Sequence, residues 1–551
     1  MNKAETPSDS FSELHLIAAI GLSPALVGLL LGIYSLWYLV GPALKQHNTS
    51  NQPPIVGCRS RWEPTWLVRL RFIRGSRKII GEGYERFKDT MFQVRRVGTD
   101  VLLVSSKYMD EIRTLTRDAT GSVPPLVQDY PGEYTHGMPF LRSDLQNRVL
   151  QQKLTPNLPS LVPVMVEELE FAMRMEMPEC AVRKQPANAS ADDWTTVDIM
   201  PILSRIITRI TSRIFLGPKE GRNEEWLVAT VEYTRNLFLT GMALRFFPRF
   251  LRPLVAPLLP SYHHLWQNVA TSRRIVGEIV RERREIEAAK PADYTKPADI
   301  LQWMMDAATG QEAEPGDLAQ RMLILSVTSI HTTTLTMTQA IYDLCAHPQY
   351  LEPLRAEVED VLCTDGGWGK LTVNHLRKMD SLLKESQRFN PVFLLTFNRI
   401  LPKSITLSNG VSIPVGSRIA VPSNAMLNDP SRVPGDAPTS FDAFRYSRLR
   451  EEPENAQRHL FVMTDHNNLA FGYGKFACPG RFYAANEMKM MLAHMLICYD
   501  MRFPDGRGRP RNFTIDSDMY PDPATRLLIR KRRSIGKGME ELLRSVAPVA
   551  A

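Results

Sequence analysis

Residues 471–482 read Phe-Gly-Tyr-Gly-Lys-Phe-Ala-Cys-Pro-Gly-Arg-Phe, and this stretch decides how the chain is interpreted. It places Cys478 in a loop with three glycines, directly before an apolar run that is typical of a helix. Glycines let a backbone approach a large flat group, and amide hydrogens at a helix start favour an ionised sulfur. A buried thiolate needs a cation partner, which an iron porphyrin supplies.

The spacing of this stretch resembles the cytochrome P450 family of haem-thiolate monooxygenases. The family pattern Phe-x-x-Gly-x-x-x-Cys-x-Gly is met at Phe471, Gly474, Cys478 and Gly480. Four such matches arise by accident on the order of once in a thousand chains of this composition. The resemblance implies haem b (iron protoporphyrin IX) as the cofactor, with Cys478 as the axial iron ligand and Lys475 beside the cofactor. The alternative is a free cysteine that is simply a small buried hydrophobic residue.

Two further segments match the family in the same chain order. Glu385 and Arg388 form its Glu-x-x-Arg pattern, and Phe-Asp-Ala-Phe-Arg, which ends at Arg445, resembles its third-partner segment. By itself, a Glu/Arg pair at this spacing is common on helix surfaces. The resemblance implies that the three side chains form a buried network with a structural role, supporting the coil beside the haem.

A cluster of threonines marks the second match. Residues 328–334 read Thr-Ser-Ile-His-Thr-Thr-Thr, within an apolar-periodic segment from 317 to 346 that ends at His-Pro. Threonine hydroxyls can bond to carbonyls one turn back and open a helix locally. The resemblance implies that Thr332, flanked by His331 and Thr333, helps to deliver protons to dioxygen. A buried helix with satisfied hydroxyls is the alternative that the residues leave open.

Two positions depart from the family pattern. The acid that usually precedes the threonine is His331, whose imidazole can relay protons at its ordinary pKa of about 6.5. The usually basic residue two before the cysteine is Phe476. Haem propionates are anions that need hydrogen-bond donors. The candidate donors are Arg399 first, then Lys475, Arg148 and Lys153.

The charge of the chain is concentrated near one end. The 551 residues carry a formal net charge of +8. Residues 45–80 hold eight Lys/Arg against one acid, so the remainder is close to neutral. A nucleic-acid partner is therefore not expected, because such a protein spreads basic residues over a folded domain.

An uncharged apolar stretch, residues 16–44, precedes the basic block and exceeds the roughly 20 residues that cross a bilayer. The positive-inside tendency places the basic side in the cytoplasm. We expect a lumenal segment 1–15, a transmembrane anchor 16–44, a basic, Pro-containing linker 45–80 and a catalytic domain 81–551. This predicts a single-pass protein of the endoplasmic reticulum membrane with a cytosolic body. The alternative for the apolar stretch is a buried core helix.

Most of the body has helical periodicity. Alternating residues predict a hairpin over 91–104, and short strands are expected around 399–421, with Asn-Gly at 409–410 as a turn. The fold class is therefore mainly α with minor β, a single cytochrome P450 fold domain preceded by a transmembrane helix. Segment 237–260 is rich in Phe and Leu and predicts either an ordinary helix pair or a lip that dips into membrane lipid.

The resemblance implies hydroxylation or oxidation of a hydrophobic small molecule, and the motifs look most like fungal, microsomal-type members that oxidise terpenoids in secondary metabolism. Candidate pocket segments are 123–140, 324–332 and 392–397. Because no Gly-x-Gly-x-x-Gly opens a βαβ unit, NADPH is expected to act through a separate reductase that meets Lys475 and Arg481. Cytochrome b5 is a possible second partner. The alternatives are an isomerase or dehydratase that needs no reductase, a non-catalytic haem-binding membrane protein, and a membrane scaffold without haem.

Overall fold

The computed structural model describes residues 32, 53–60, 63–115, 123–177, 194–289, 293–532 and 535–544. The predicted segment 1–15 lies outside these ranges, as does the predicted anchor 16–44 apart from Gly32. Within the described ranges, no helix combines the length and apolarity that a bilayer crossing requires.

Helices make up most of the described chain. They are α1 (Thr65–Phe87), α2 (Met109–Thr114), α3 (Val123–Asp129), α4 (Gly132–Thr135), α5 (Pro139–Arg142), α6 (Leu145–Val149), α7 (Thr155–Glu176), α8 (Ile199–Leu216), α9 (Glu224–Arg245), α10 (Arg252–Val255), α11 (Pro260–Ala289), α12 (Ile300–Ala307), α13 (Pro315–Ala346), α14 (Leu351–Asp365), α15 (Thr372–His375), α16 (Arg377–Phe389), α17 (Ser423–Leu427), α18 (Arg445–Leu449), α19 (Arg481–Cys498) and α20 (Lys537–Arg544). A π-helical turn, Leu150–Leu154, joins α6 to α7.

In the part of the chain that the structure describes, the strands are short and form four small sheets. They are β1 (Met91–Arg95), β2 (Asp100–Val104), β3 (Thr195–Val197), β4 (Thr396–Ile400), β5 (Ile405–Thr406), β6 (Ser412–Ile413), β7 (Arg418–Val421), β8 (Tyr499–Arg502), β9 (Phe513–Ile515), β10 (Asp518–Tyr520) and β11 (Leu527–Lys531). The largest sheet has the order β1-β2-β7-β4, and a second has the order β3-β11-β8. The remaining two are the hairpins β5–β6 and β9–β10.

Both predicted strand regions are present. β1 and β2 pair antiparallel, with Met91 opposite Val104, and Gly98 turns the chain with a φ of 83°. β5 and β6 form the hairpin expected at Asn-Gly, where Gly410 has a φ of 81°. The predicted mainly helical fold with minor β structure is therefore confirmed.

The expected linker is where the structure differs from the prediction. Residues 65–87 form α1, so this helix crosses the expected boundary at residue 80. Its buried side chains include Val68, Phe72, Ile80 and Tyr84, which recur at helical spacing. The basic residues between them stay at the surface and conceal that pattern in the sequence.

The longest helix, α13, runs through the interior and positions the site. It packs against α8, α9, α11, α16 and α19. Most of its apolar residues are buried, including Leu318, Met322, Met337 and Ile341. α19 follows the cysteine loop directly, so α13 and the loop are held by one core.

Candidate active site

The cysteine loop is held by its own backbone. The Cys478 amide donates to the Phe471 carbonyl at 2.7 Å, and the Phe471 ring packs edge-on against Phe461 at 5.2 Å. Gly472 has a φ of 77°, and a Cβ there would come within 3.1 Å of the Phe476 carbonyl oxygen. Only glycine fits this position without strain.

The cysteine sulfur is enclosed by protein beside a helix start, and Cys478 keeps some accessible surface. The amides of Gly480 and Arg481 hydrogen-bond to Cys478 and lower the pKa of its thiol, but burial outweighs them and raises that pKa overall. The helix-start amides therefore favour the thiolate, as expected, but they do not offset its burial. A thiolate so enclosed requires an additional positive charge, such as a coordinated metal ion.

A buried arginine with no carboxylate lies beside the same loop. Arg399 is 4% exposed, and its guanidinium lies 4.4 Å from the ring centroids of both Phe397 and Phe476. Its hydrogen bond goes to the Asn398 carbonyl at 2.7 Å, and no described Asp or Glu pairs with it. Burial lowers the pKa of Arg399 to about 10. The guanidinium of Arg399, which has no carboxylate partner, can therefore pair with an anionic group of a ligand bound next to it.

The backbone of β4 directs that arginine. Phe397 has a φ of 54°, in the left-handed region, and the pairing of β4 with β7 shifts register between Thr396 and Arg399. Such bulges re-aim side chains and often lie next to active sites. β4 thus supplies a cation next to Phe476, the position that departs from the family pattern.

These observations fit a haem. The enclosed sulfur needs a cation, the glycine loop admits a flat group, and the unpaired guanidinium of Arg399 suits a propionate. Cys478 would therefore hold the iron and Arg399 a propionate. Gly474, in the same loop, has a φ of 66°, which again favours glycine.

The other predicted propionate ligands have different contacts. Lys475 is exposed, and its ammonium donates to the Leu115 carbonyl. Arg148 is 44% exposed and pairs with Asp144 and Glu312 at 3.2 and 3.5 Å. Lys153 is exposed. The structure does not bring Arg148 into contact with the cysteine loop.

The predicted structural network is assembled as the sequence suggested. Glu385 is fully buried and accepts two hydrogen bonds from Arg388 at 2.8 Å and one from Arg445 at 3.2 Å. Arg445 also donates to four carbonyls of the coil that precedes it, those of Pro434, Asp436, Ala437 and Ser440, at 2.7 to 3.2 Å. Two helices and the coil are thereby joined through one carboxylate.

The threonine segment forms an unbroken part of α13. Thr332 Oγ1 donates to the Thr328 carbonyl at 2.7 Å, and Thr336 Oγ1 donates to the Thr332 carbonyl at 2.9 Å. The expected local opening of the helix is absent from α13, because the hydroxyls add to its backbone hydrogen bonds without replacing them. Thr332 is partly accessible, whereas Thr333 is buried. Thr328 is exposed although it lies mid-helix, which is expected of a residue that borders an internal cavity.

The imidazole of His331 does not titrate near neutral pH. Burial lowers its pKa to about 4, and its ring lies 4.6 Å from that of Phe238 on α9. The expectation of a relay with an ordinary pKa is therefore wrong: at neutral pH the imidazole is uncharged.

Four rings, those of Tyr130, Phe238, His331 and Tyr520, form an aromatic wall that joins segments remote in sequence. Tyr130 packs edge-on against Phe238 at 5.0 Å, and Tyr520 lies 6.2 Å from His331. Phe393 is strand-bridged to Asp518. The wall therefore joins the predicted pocket segments 123–140 and 324–332 to α9 and the β9–β10 hairpin, and segment 392–397 bridges to the same hairpin through its backbone.

Sequence analysis missed two buried polar groups near this wall. One is a charge cluster in which Asp516 binds Arg96 and Arg245 at 2.7 and 2.5 Å, and Asp129 binds Arg418 at 2.6 Å. The cluster ties the ends of β1, α3 and α9 to the hairpin. Its members are scattered along the chain, so no local pattern signals them.

The other missed group is Glu487 on α19. It is fully buried, and its Oε1 accepts from the hydroxyls of Tyr483 at 3.1 Å and Thr211 at 3.3 Å. Burial raises its pKa to about 8. Thr211 Oγ1 lies 3.5 Å from Ser329 Oγ on α13, so a polar chain crosses the core between α19 and α13.

Comparison with known proteins places this site in context. The family model described as Cytochrome P450 matches residues 86–524. The chain is 56% identical over 480 residues to ent-kaurene oxidase P450-4 of Gibberella fujikuroi, which covers 87% of this chain and 92% of that protein. It is 46% identical to cytochrome P450 monooxygenase AN1598 of Emericella nidulans, over 91% of this chain and 92% of that protein. Retinoic acid bound cyanobacterial CYP120A1 is a structural neighbour with a TM-score of 0.63 and 17% identity, covering 87% of this chain and 99% of the other.

Proposed function

The chain belongs to the cytochrome P450 family, and from that premise we propose that it oxidises a terpenoid-type hydrophobic molecule in fungal secondary metabolism. It is a haem-thiolate monooxygenase. The substrate proposal is supported by the similarity to a protein named ent-kaurene oxidase. The observation that carries it is the aromatic wall, Tyr130–Phe238–His331–Tyr520, beside the threonine turn of α13.

The side chains around the cavity bind the substrate, orient it and position a proton donor. When bound, haem supplies the oxidising chemistry. The wall excludes water and holds an apolar skeleton by packing. Thr332 Oγ1, whose own proton points to the Thr328 carbonyl, can accept a hydrogen bond from a water or a ligand in the cavity. The imidazole of His331 is neutral at pH 7. The Thr332 hydroxyl is therefore the group that positions a bound water as the proton donor.

Electrons come from a separate reductase, which we propose is an NADPH-dependent flavoprotein, with cytochrome b5 as a second donor. We expect purified protein, reconstituted with such a reductase and NADPH, to oxidise members of a panel of terpenoids. Product should require both the reductase and NADPH, as measured by mass spectrometry. Product that forms without them would favour an isomerase or dehydratase, and the absence of product across the panel would contradict the substrate proposal.

The matched variants for that experiment are Thr332→Ala and Thr338→Ala. Thr332→Ala is expected to lower product per NADPH by at least about tenfold, because a positioned proton donor contributes about 10²–10⁴-fold. The missing product should appear as hydrogen peroxide, since dioxygen still accepts the two electrons. Thr338, fully buried and bonded to the Thr334 carbonyl at 2.8 Å, provides the control and should retain wild-type coupling.

We also propose that the body of the protein contacts the endoplasmic reticulum membrane, into which residues 16–44 insert as a single-pass anchor. Apolar side chains are exposed between α9 and α11, including Phe250 at 62% and Leu254 at 68%. Trp66 and Leu70 at the start of α1 are exposed as well. The two patches lie near each other, because Arg69 pairs with Asp100 and nearby Gly98 approaches Arg245. The anchor precedes α1, so all of these features favour one membrane-facing side.

Labelling tests this membrane-facing side. In full-length protein in nanodiscs, with Cys58, Cys180 and Cys363 replaced by serine, an environment-sensitive fluorophore on Leu254→Cys should emit as in lipid and be quenched by spin-labelled lipid. The control is Leu371→Cys, at an exposed apolar residue away from this region, where a water-like emission is expected. Water-like emission at both positions would contradict the proposal.

A further inference from the structure

A carboxyl and a phenol share one face of the β9–β10 hairpin. Asp518 and Tyr520 are two residues apart on β10, so their side chains point the same way. The Tyr520 hydroxyl lies 3.5 Å from Asp518 Oδ2, and the Tyr520 ring stacks on its cross-strand partner Phe513 at 5.3 Å. Met519, between them, points the other way into a buried apolar cluster.

That face looks onto the aromatic wall of the cavity. Tyr520 lies 6.2 Å from His331, the neighbour of Thr332 on α13. Asp518 and Tyr520 are largely enclosed by protein, yet both keep some accessible surface. Residues with this combination line an internal cavity. The pair therefore lies in the wall against which a substrate packs.

Asp518 differs from the other carboxylates nearby. Asp516 and Asp129 are each bound by arginines at 2.5 to 2.7 Å. Among the described residues, no Lys or Arg forms an ion pair with Asp518, whose hydrogen bonds come from Tyr520 and from Ser517 at 3.4 Å. Burial, with Asp516 beside it, raises the pKa of Asp518 to about 7. A carboxyl so enclosed is costly unless a ligand group completes its hydrogen bonding.

We propose that Asp518 and Tyr520 form a polar recognition site in the cavity wall that binds a hydroxyl group of the substrate. A hydroxyl can donate to an ionised carboxylate and accept from a protonated one, so it suits Asp518 in either state. A bare hydrocarbon would cover the carboxyl and leave it unpaired. The inference rests on the proposed terpenoid oxidation and narrows the preferred ligand to an oxygenated terpenoid.

The test measures ligand binding to the haem-loaded, full-length protein, with the ligand-induced shift of the Soret band as the signal. The probes are ent-kaurene and the primary alcohol of the same skeleton. Wild-type protein should bind the alcohol about tenfold or more tightly than the hydrocarbon, the difference expected for one buried hydrogen bond. Asp518→Ala should remove that preference by weakening alcohol binding alone. Asp518→Asn, which keeps a donor and an acceptor, should restore part of it, and Tyr520→Phe should show an intermediate loss.

Asp505→Ala serves as the control, because the Asp505 side chain is 84% exposed on another loop. Every variant is compared at equal haem content. Equal weakening of both probes in Asp518→Ala would reveal a merely structural role and overturn the inference, as would an unchanged preference. The terpenoid turnover assay separates the two proposals. If wild-type protein oxidises terpenoids but binds both probes alike, the recognition site alone is wrong, whereas no turnover and no spectral shift overturn both.

Discussion

Replacing Cys478 with alanine is expected to abolish the red-shifted Soret band of the reduced, carbon monoxide-treated protein. The band requires a thiolate ligand, and an alanine at this position offers none. Phe471, Gly472 and the start of α19 hold the sulfur at the centre of the loop. None of the other described cysteines lies in this loop, so none can replace it. Terpenoid oxidation should disappear with the band, as measured by product formation with reductase and NADPH.

Cys345→Ala is the matched control for this experiment. Cys345 lies near the end of α13, and burial alone raises the pKa of its thiol to about 12, so it remains a neutral thiol. The control should keep both the band and the activity. Retention of the red-shifted band in Cys478→Ala would contradict the ligand assignment and, with it, the interpretation of the loop.

The parts of the site that sequence analysis anticipated depend on neighbours in the chain. The cysteine loop, the Glu385–Arg388 spacing and the long threonine-bearing helix are local patterns, since a turn or a helix brings their members together. The hairpin at Gly98 is equally local. α1, which crosses the expected boundary at residue 80, is also marked locally, because Val68, Phe72 and Ile80 recur at helical spacing among the basic residues.

The parts that it missed depend on contacts between distant segments. Arg399 approaches Phe476 because β4 carries a bulge, and a bulge leaves no reliable mark in a single sequence. The pKa of His331 follows from what covers the ring, Phe238 included, and not from its own helix. Asp518 looks like an ordinary polar residue until the hairpin is placed against α13. Local motifs, through the family that they resemble, thus predict the cofactor and its ligand, whereas tertiary packing determines the electrostatics around the site.

Replacing Glu385 with glutamine is expected to prevent accumulation of haem-loaded protein. The substitution keeps the shape of the side chain but removes the charge that balances Arg388 and Arg445, which are 2% exposed each. Breaking a buried ion pair by removing one partner costs about 3–5 kcal/mol, and here one carboxylate serves two guanidiniums. Since domains are stable by only about 5–15 kcal/mol, little folded protein should remain. The measurement is the ratio of Soret to protein absorbance, together with the thermal unfolding midpoint.

Glu82→Gln makes the same chemical change in a solvated pair and isolates the effect of burial. Glu82 lies 3.9 Å from Lys78 on α1, with side chains 44% and 84% exposed. Exposed pairs contribute about 0–1 kcal/mol, so this variant should match wild type in haem content and unfolding midpoint. The four carbonyls that Arg445 binds belong to residues 434–440, so loosening of Glu385 should release this coil first. Wild-type haem content and stability in Glu385→Gln would show that backbone carbonyls suffice to hold both arginines, those of the coil for Arg445 and those of Leu427 and Ser440 for Arg388, and the carboxylate would lose its structural role.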